Sequence, residues 1–98
     1  MFVRIIKTYR NIVAVCDANL LGKRFEEGKF QLDVKENFFK GEITSEEKAI
    51  EIMQNMLKED ATFNIIGEKS VKTALKAGVI SEEGIKKIQD IPFALVLI

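Results

Sequence analysis

The sequence contains no histidine and no tryptophan, and only one proline, one cysteine and one tyrosine. Histidine is the commonest general acid/base and the commonest metal ligand. Its absence removes every Ser-His-Asp or Cys-His arrangement and most of the support for hydrolase chemistry. Cys16 has no partner for an intrachain disulfide, and one thiol without histidine or a second cysteine lacks zinc-ligand spacing. No metal and no cofactor are therefore expected, and a reducing cytoplasm fits the cysteine usage. An excess of one charge is also missing, because 15 Lys and Arg balance 15 Asp and Glu. No global field draws such a chain to nucleic acid or to an anionic membrane, so any basic site must be local. No apolar run approaches the length of a membrane span, and Arg4 and Lys7 interrupt the first apolar residues too early for a signal-peptide core.

What is present is an ordinary globular balance, 47% hydrophobic and 31% charged over 98 residues. That balance supports one packed core and one domain over residues 1–98. Residues 1–40 hold eight basic and five acidic side chains, residues 41–60 two and six, and residues 61–98 five and four. The asymmetry is mild.

Residues 2–9 and 12–16 are rich in β-branched and aromatic types and predict a β-hairpin about a tight turn at Arg10 and Asn11. Asp17, Asn19 and Gly22 close that unit, and LLGKRFEEG (Leu20–Gly28) reads as a turn or short helical piece ending at Gly28. Residues 29–34 alternate, with Phe30, Leu32 and Val34 on one side, and predict a half-buried strand. Residues 37–41 read as a loop carrying Phe38 and Phe39. Thr44 and Glu47 match a capping box, and Ala49, Ile50, Ile52, Met53, Met56 and Leu57 fall in one stripe, which predicts a helix over 45–58. Residues 61–66 read as a short strand, followed by a second helix that ends at Gly78 as its C′ glycine. Ser81 is expected to cap a third, short helix with Glu82 and Glu83 in its first turn and Lys86 and Lys87 later. Pro92 then introduces FALVLI, a buried C-terminal strand. The expected fold class is α+β. It is a two-layer sandwich, with a mixed or antiparallel sheet, an N-terminal hairpin and about three helices on one face. Whether residues 93–98 pair within the chain or between chains stays open at this level.

The run VAVCDANLLGKRFEEG (Val13–Gly28), the strand FQLDV (Phe30–Val34) and the segment NIIGEKSVKTALKAGVI (Asn64–Ile80) together resemble the archaeal family of domain of unknown function 424. The V-C-D-x-x-L-L-G-K element and the N-x-x-G-E start of the second helix are the most specific parts. The resemblance implies an archaeal cytoplasmic protein with an α+β fold and an RNA-binding or translation-related label. Members of that family commonly carry a histidine just after the proline near the C-terminus. This chain has Phe93 there, so a role built on that histidine does not transfer.

Candidate chemistry is sparse. Cys16 beside Asp17 is a poor nucleophile, since a neighbouring carboxylate raises a thiol pKa, and a packing role at the end of an apolar strand accounts for it. Asp17 itself is expected to end the strand through a turn hydrogen bond. The pairs Glu26-Glu27, Glu46-Glu47, Glu59-Asp60 and Glu82-Glu83 are explained by helix first turns or solvated surface. The segment from Asn64 through Gly67 to Lys69 and Ser70 places a glycine at a strand-to-helix turn, where backbone N–H groups can face an anion. It is not a P-loop, because the first glycine is missing and Glu68 stands between Gly67 and Lys69; the competing reading is an ordinary helix start.

A second candidate is the basic set Arg4, Lys7, Arg10, Lys23 and Arg24, interleaved with Tyr9 and Phe25. Such sets stack bases and hold phosphates when they share a sheet face. Strand parity puts Arg4 and Arg10 on one face and Lys7 and Tyr9 on the other, and neither an RNP-type run nor a G-x-x-G is present. A solvated hairpin is the competing reading. Phe38 and Phe39 serve either a protein contact or the domain's own core. Three functions follow. The first is a non-catalytic RNA-binding or translation-associated module. The second is a protein-interaction or homo-oligomeric scaffold. The third is a small-anion (phosphate) binder at the Gly67 turn. None of the three involves a membrane.

Overall fold

The β-branched residues near the N-terminus form two antiparallel strands, β1 (Phe2–Ile6) and β2 (Ile12–Cys16), with Val3 opposite Val15 and Ile5 opposite Val13. This geometry comes from a computed structural model that describes residues 1–97. Ile98, the last residue of the expected C-terminal strand, lies outside the described residues. Pairing stops at Ile6 and Ile12, so the connection is a five-residue loop over 7–11 and not a tight turn at Arg10 and Asn11. The Thr8 hydroxyl donates to the Arg10 carbonyl inside that loop and closes it in place of further ladder bonds.

Hairpin strand β2 lies parallel to β6 (Thr62–Ile66), which is antiparallel to β8 (Ile91–Val96). Two short strands complete the edges: β5 (Glu42–Ile43) beside β1, and β7 (Lys86–Ile88) beside β8. The result is a mixed six-stranded sheet of order β5-β1-β2-β6-β8-β7. The fold class is α+β, as expected, and the C-terminal strand pairs within the chain. Helices α2 (Glu46–Lys58) and α3 (Glu68–Ala77) cover one face. There Val3, Val13, Val15, Phe63 and Ile65 pack against Ala49, Met53, Met56, Val71 and Ala74. Because side chains alternate along a strand, Ala14, Cys16 and Ile66 face the other way. They form a second core with Leu20, Val34 and Phe39, beneath the hairpin β3 (Arg24–Glu27)–β4 (Phe30–Asp33) and the one-turn helix α1 (Glu36–Phe39).

Several local expectations are corrected. Residues 24–27 are a strand and not a helical piece, since Gly28 at φ +60° lets the chain reverse and pair Glu27 with Phe30. Phe30 is 72% exposed, so only Leu32 and Val34 reach the core; the tip of this hairpin overhangs the sheet. The α2 N-cap is Ser45, whose Oγ accepts from Lys48 N at 3.2 Å, while the Thr44 hydroxyl donates to the Glu42 carbonyl. Residues 37–39 lie in α1 and not in a loop. The third helix shrinks to one 3-10 turn at Glu82–Gly84, without a side-chain cap from Ser81. Lys86 and Lys87 belong to β7, because β8 offers them an open edge. A two-residue turn at Gln89 and Asp90, both at positive φ, joins β7 to β8. Bonds from the Gln89 N–H to Glu27 Oε1 (2.9 Å) and from its amide to the Glu26 carbonyl (2.6 Å) fix that turn to β3. Gly78, at φ +77°, ends α3 as expected. No helix among the described residues is long and apolar enough to cross a membrane.

Candidate nucleic-acid interface

Parallel strands β2 and β6 end side by side, with the Asp17 N–H donating to the Ile66 carbonyl at 3.1 Å. Gly67 is the N-cap of α3 at φ +112°, and the donors of the first turn point back at β2. Asp17 Oδ2 accepts from Lys69 N at 3.1 Å, and Oδ1 accepts from Ser70 N and from Ser70 Oγ, both at 2.8 Å. Ser70 is fully buried and Asp17 nearly so. The anion at this helix start is thus the chain's own carboxylate. At the expected external anion site at Gly67, Lys69 and Ser70, the Lys69 and Ser70 N–H groups and the Ser70 hydroxyl are already engaged by Asp17. The local turn expected of Asp17 is also present, its carbonyl accepting from Leu20 N at 3.0 Å, while its side chain caps a helix 53 residues away.

Cys16, next to this cap, is 0% exposed, in agreement with a packing role. Burial first and the Asp17 carboxylate second push its thiol up to about 11. A higher acid pKa means less thiolate at neutral pH, and thiolate is the reacting form. In native buffer at pH 8, Cys16 is expected to react with iodoacetamide on the order of a hundredfold more slowly than a free thiol. It should regain the normal rate in denaturant. Full-rate labelling of the folded protein would contradict this burial.

The basic set does not converge. Arg4 stands on the face of β1 away from α2, and its guanidinium donates to the Asn37 carbonyl. Lys7 and Arg10 lie in the 7–11 loop with the fully exposed Tyr9. Arg24 sits on the small hairpin, bonded to Gln31 and paired with Glu26 at 3.1 Å, and Lys23 precedes it. The side chains divide between the sheet face, the loop and the hairpin.

A different grouping emerges from the sheet register. Arg4 is opposite Ala14, Ala14 is beside Asn64, and Asn64 is opposite Leu95, so the four form one row across β1, β2, β6 and β8 on the face away from the two long helices. In this row Ala14 is buried, Arg4 and Asn64 are half-buried and Leu95 is exposed. Beside the row lies an open cleft of about 460 Å³, lined by Asn64 and Ile66 of β6, Leu32 and Asp33 of β4, Lys35, and Asn37, Phe38 and Phe39 of α1. The adjacent phenylalanines divide the two roles considered for them. Phe39 is buried in the core and Phe38 is half-buried at the cleft, with ring centroids 5.0 Å apart and planes at 68°. Asn64 therefore works apart from Gly67, Lys69 and Ser70, with which sequence grouped it. Lys35 and Asn37 were not singled out by sequence. The available signal was a polar amide in the middle of an otherwise apolar inner strand.

Comparison with known proteins supports the family reading. A crystal structure of an uncharacterized conserved protein from Methanopyrus kandleri superimposes with a TM-score of 0.87 at 22% sequence identity, covering 97% of this chain and 88% of that one. That likeness establishes the fold. No match was found among curated proteins. The model of the family described as protein of unknown function (DUF424) matches residues 6–98, nearly the whole chain, and the chain belongs to that family.

Proposed function

We propose that the protein is a small non-catalytic module that binds single-stranded RNA in the archaeal cytoplasm, in a translation-related setting. The observation that carries this reading is the cleft on the sheet face opposite the two long helices, at the edge of α1 and β4. It brings together the Asn64 amide, the Phe38 ring and the Lys35 cation, with Asp33 also in its lining, and Arg4 stands in the same row across the sheet as Asn64, bonded to the Asn37 carbonyl. Proteins that hold single strands join a sheet face, ring stacking and backbone-tracking cations in this manner. The non-catalytic part rests on the burial of the one thiol and on the lack of histidine.

The test is binding of a labelled unstructured RNA oligonucleotide across a salt series. Affinity is expected to fall as salt rises, with a log–log slope near −0.7 per phosphate contacted, and Arg4→Ala is expected to reduce the slope by about 0.7. Absence of binding at low salt would refute the reading. A second reading, a protein-contact or homo-oligomeric module, draws on Leu95 and Leu97, which are 55% and 72% exposed. It expects a molecular mass that rises with concentration and RNA binding that is absent.

A further inference from the structure

Asn64 is an unusual occupant of its position. It lies on β6, an inner strand of sequence TFNII, between Ala14 on one neighbour and Leu95 on the other. Asparagine and alanine are both depleted from strands, where β-branched and aromatic side chains pack better. Ala14 beside Asn64 is fully buried in the second core. Among the described residues no hydrogen bond of the Asn64 side chain is found, so its donor and its acceptor are both available on an inner strand. An amide held this way matches a ligand edge that presents an acceptor next to a donor. Nucleobase edges have that pattern, and asparagine reads them in two parallel hydrogen bonds.

The remainder of the cleft suits the faces and phosphate of such a ligand. Phe38 is braced by the edge-to-face contact with the buried Phe39, so the ring is positioned without a large loss of freedom on binding. Lys35 stands at the rim. The Arg4 guanidinium, bonded to the Asn37 carbonyl, places a second cation next to α1. Asp33 also lines the cleft and repels an anion there, so the phosphate of such a ligand belongs beside Lys35 and away from that carboxylate. We infer that this cleft takes one unpaired nucleobase, with its face against Phe38 and its hydrogen-bonding edge on the Asn64 amide. The inference rests on the RNA reading and adds where, and through which part of the nucleotide, the strand is held.

The experiment compares an unstructured oligonucleotide with an abasic oligonucleotide of equal length, for the wild type, Asn64→Leu and Phe38→Leu. The wild type is expected to prefer the base-bearing strand by on the order of tenfold, as one stacked base contributes. Either variant should lose most of that preference while keeping the salt slope. In parallel, adenosine monophosphate titrated into the labelled wild-type protein should shift the Asn64 side-chain amide resonances, whereas ribose 5-phosphate should not. That arm decides the matter if a variant fails to fold. Equal affinity for both strands would overturn the base cleft and leave the RNA reading intact. Preference retained in both variants would also overturn it and place base stacking elsewhere. Failure of both strands to bind at low salt would refute both readings.

Discussion

Asp17→Ala is expected to destabilise the fold by about 3 to 5 kcal/mol, because a single carboxylate accepts three hydrogen bonds in a buried place and each charged bond contributes about 1.5 to 3 kcal/mol without full additivity. The substitution leaves the Ser70 N–H and hydroxyl without an acceptor at a fully buried residue. It also removes negative charge from the start of α3, where the helix dipole favours it. For a domain of this size each kcal/mol moves the midpoint of thermal unfolding by about 4 to 8 °C, so a fall of at least about 12 °C is expected. Urea unfolding should show a lower midpoint with an unchanged slope. Ser70→Ala removes one donor and leaves the carboxylate its two backbone partners. Its cost should stay at the low end of the charged-bond range, about 1.5 kcal/mol, the contribution of one hydrogen bond to a charged group. Equal costs for the two variants would show that the carboxylate is not the centre of this cap.

Gly67→Ala is the second large effect. Gly67 adopts φ +112° and ψ 157°, a region that is essentially reserved for glycine. A Cβ built there would meet Asp17 Cγ at 2.3 Å and both carboxylate oxygens at 2.6 Å. Backbone strain of about 1 to 3 kcal/mol combines with displacement of the cap, so a total loss of about 4 kcal/mol is expected. The two substitutions act on one contact. In the double variant the clash disappears with the carboxylate, and the measured loss should fall short of the sum of the singles by about 1 to 3 kcal/mol. Strict additivity would mean that the strain at Gly67 owes nothing to Asp17.

The same pair explains why the end of β2 was only partly legible in the sequence. Asp17 and Ser70 are 53 residues apart, and nothing local to either signals the other. Features governed by neighbours within one turn or one strand were readable. The apolar stripe over 45–58, the β-branched runs of the first hairpin, the C′ glycine at Gly78 and the strand at 62–66 all belong to this class. The short edge strands were not. Glu42–Ile43 and Lys86–Ile88 are strands because Phe2–Val3 and Ile91–Phe93 offer them unpaired backbone. Glu82, Glu83, Lys86 and Lys87 imitate the charge pattern of a helix, yet Gly84 stands among them and the β8 edge wins. At the candidate site, the adjacent phenylalanines and the polar residue in TFNII were visible. Their meeting was not, since it requires α1 to fold back over the sheet face opposite the long helices.

The central claim is that the cleft on the sheet face opposite the long helices forms the working surface of this family member. Amide chemical-shift mapping during titration with an unstructured RNA oligonucleotide at low salt tests it most directly. The account expects the perturbed residues to cluster at Arg4, Ala14, Asn64, Leu95 and the 35–38 segment, with α2 and the exposed side of α3 unmoved. Perturbations confined to α2 or to the Gly67 turn, or no perturbation at all, would contradict it.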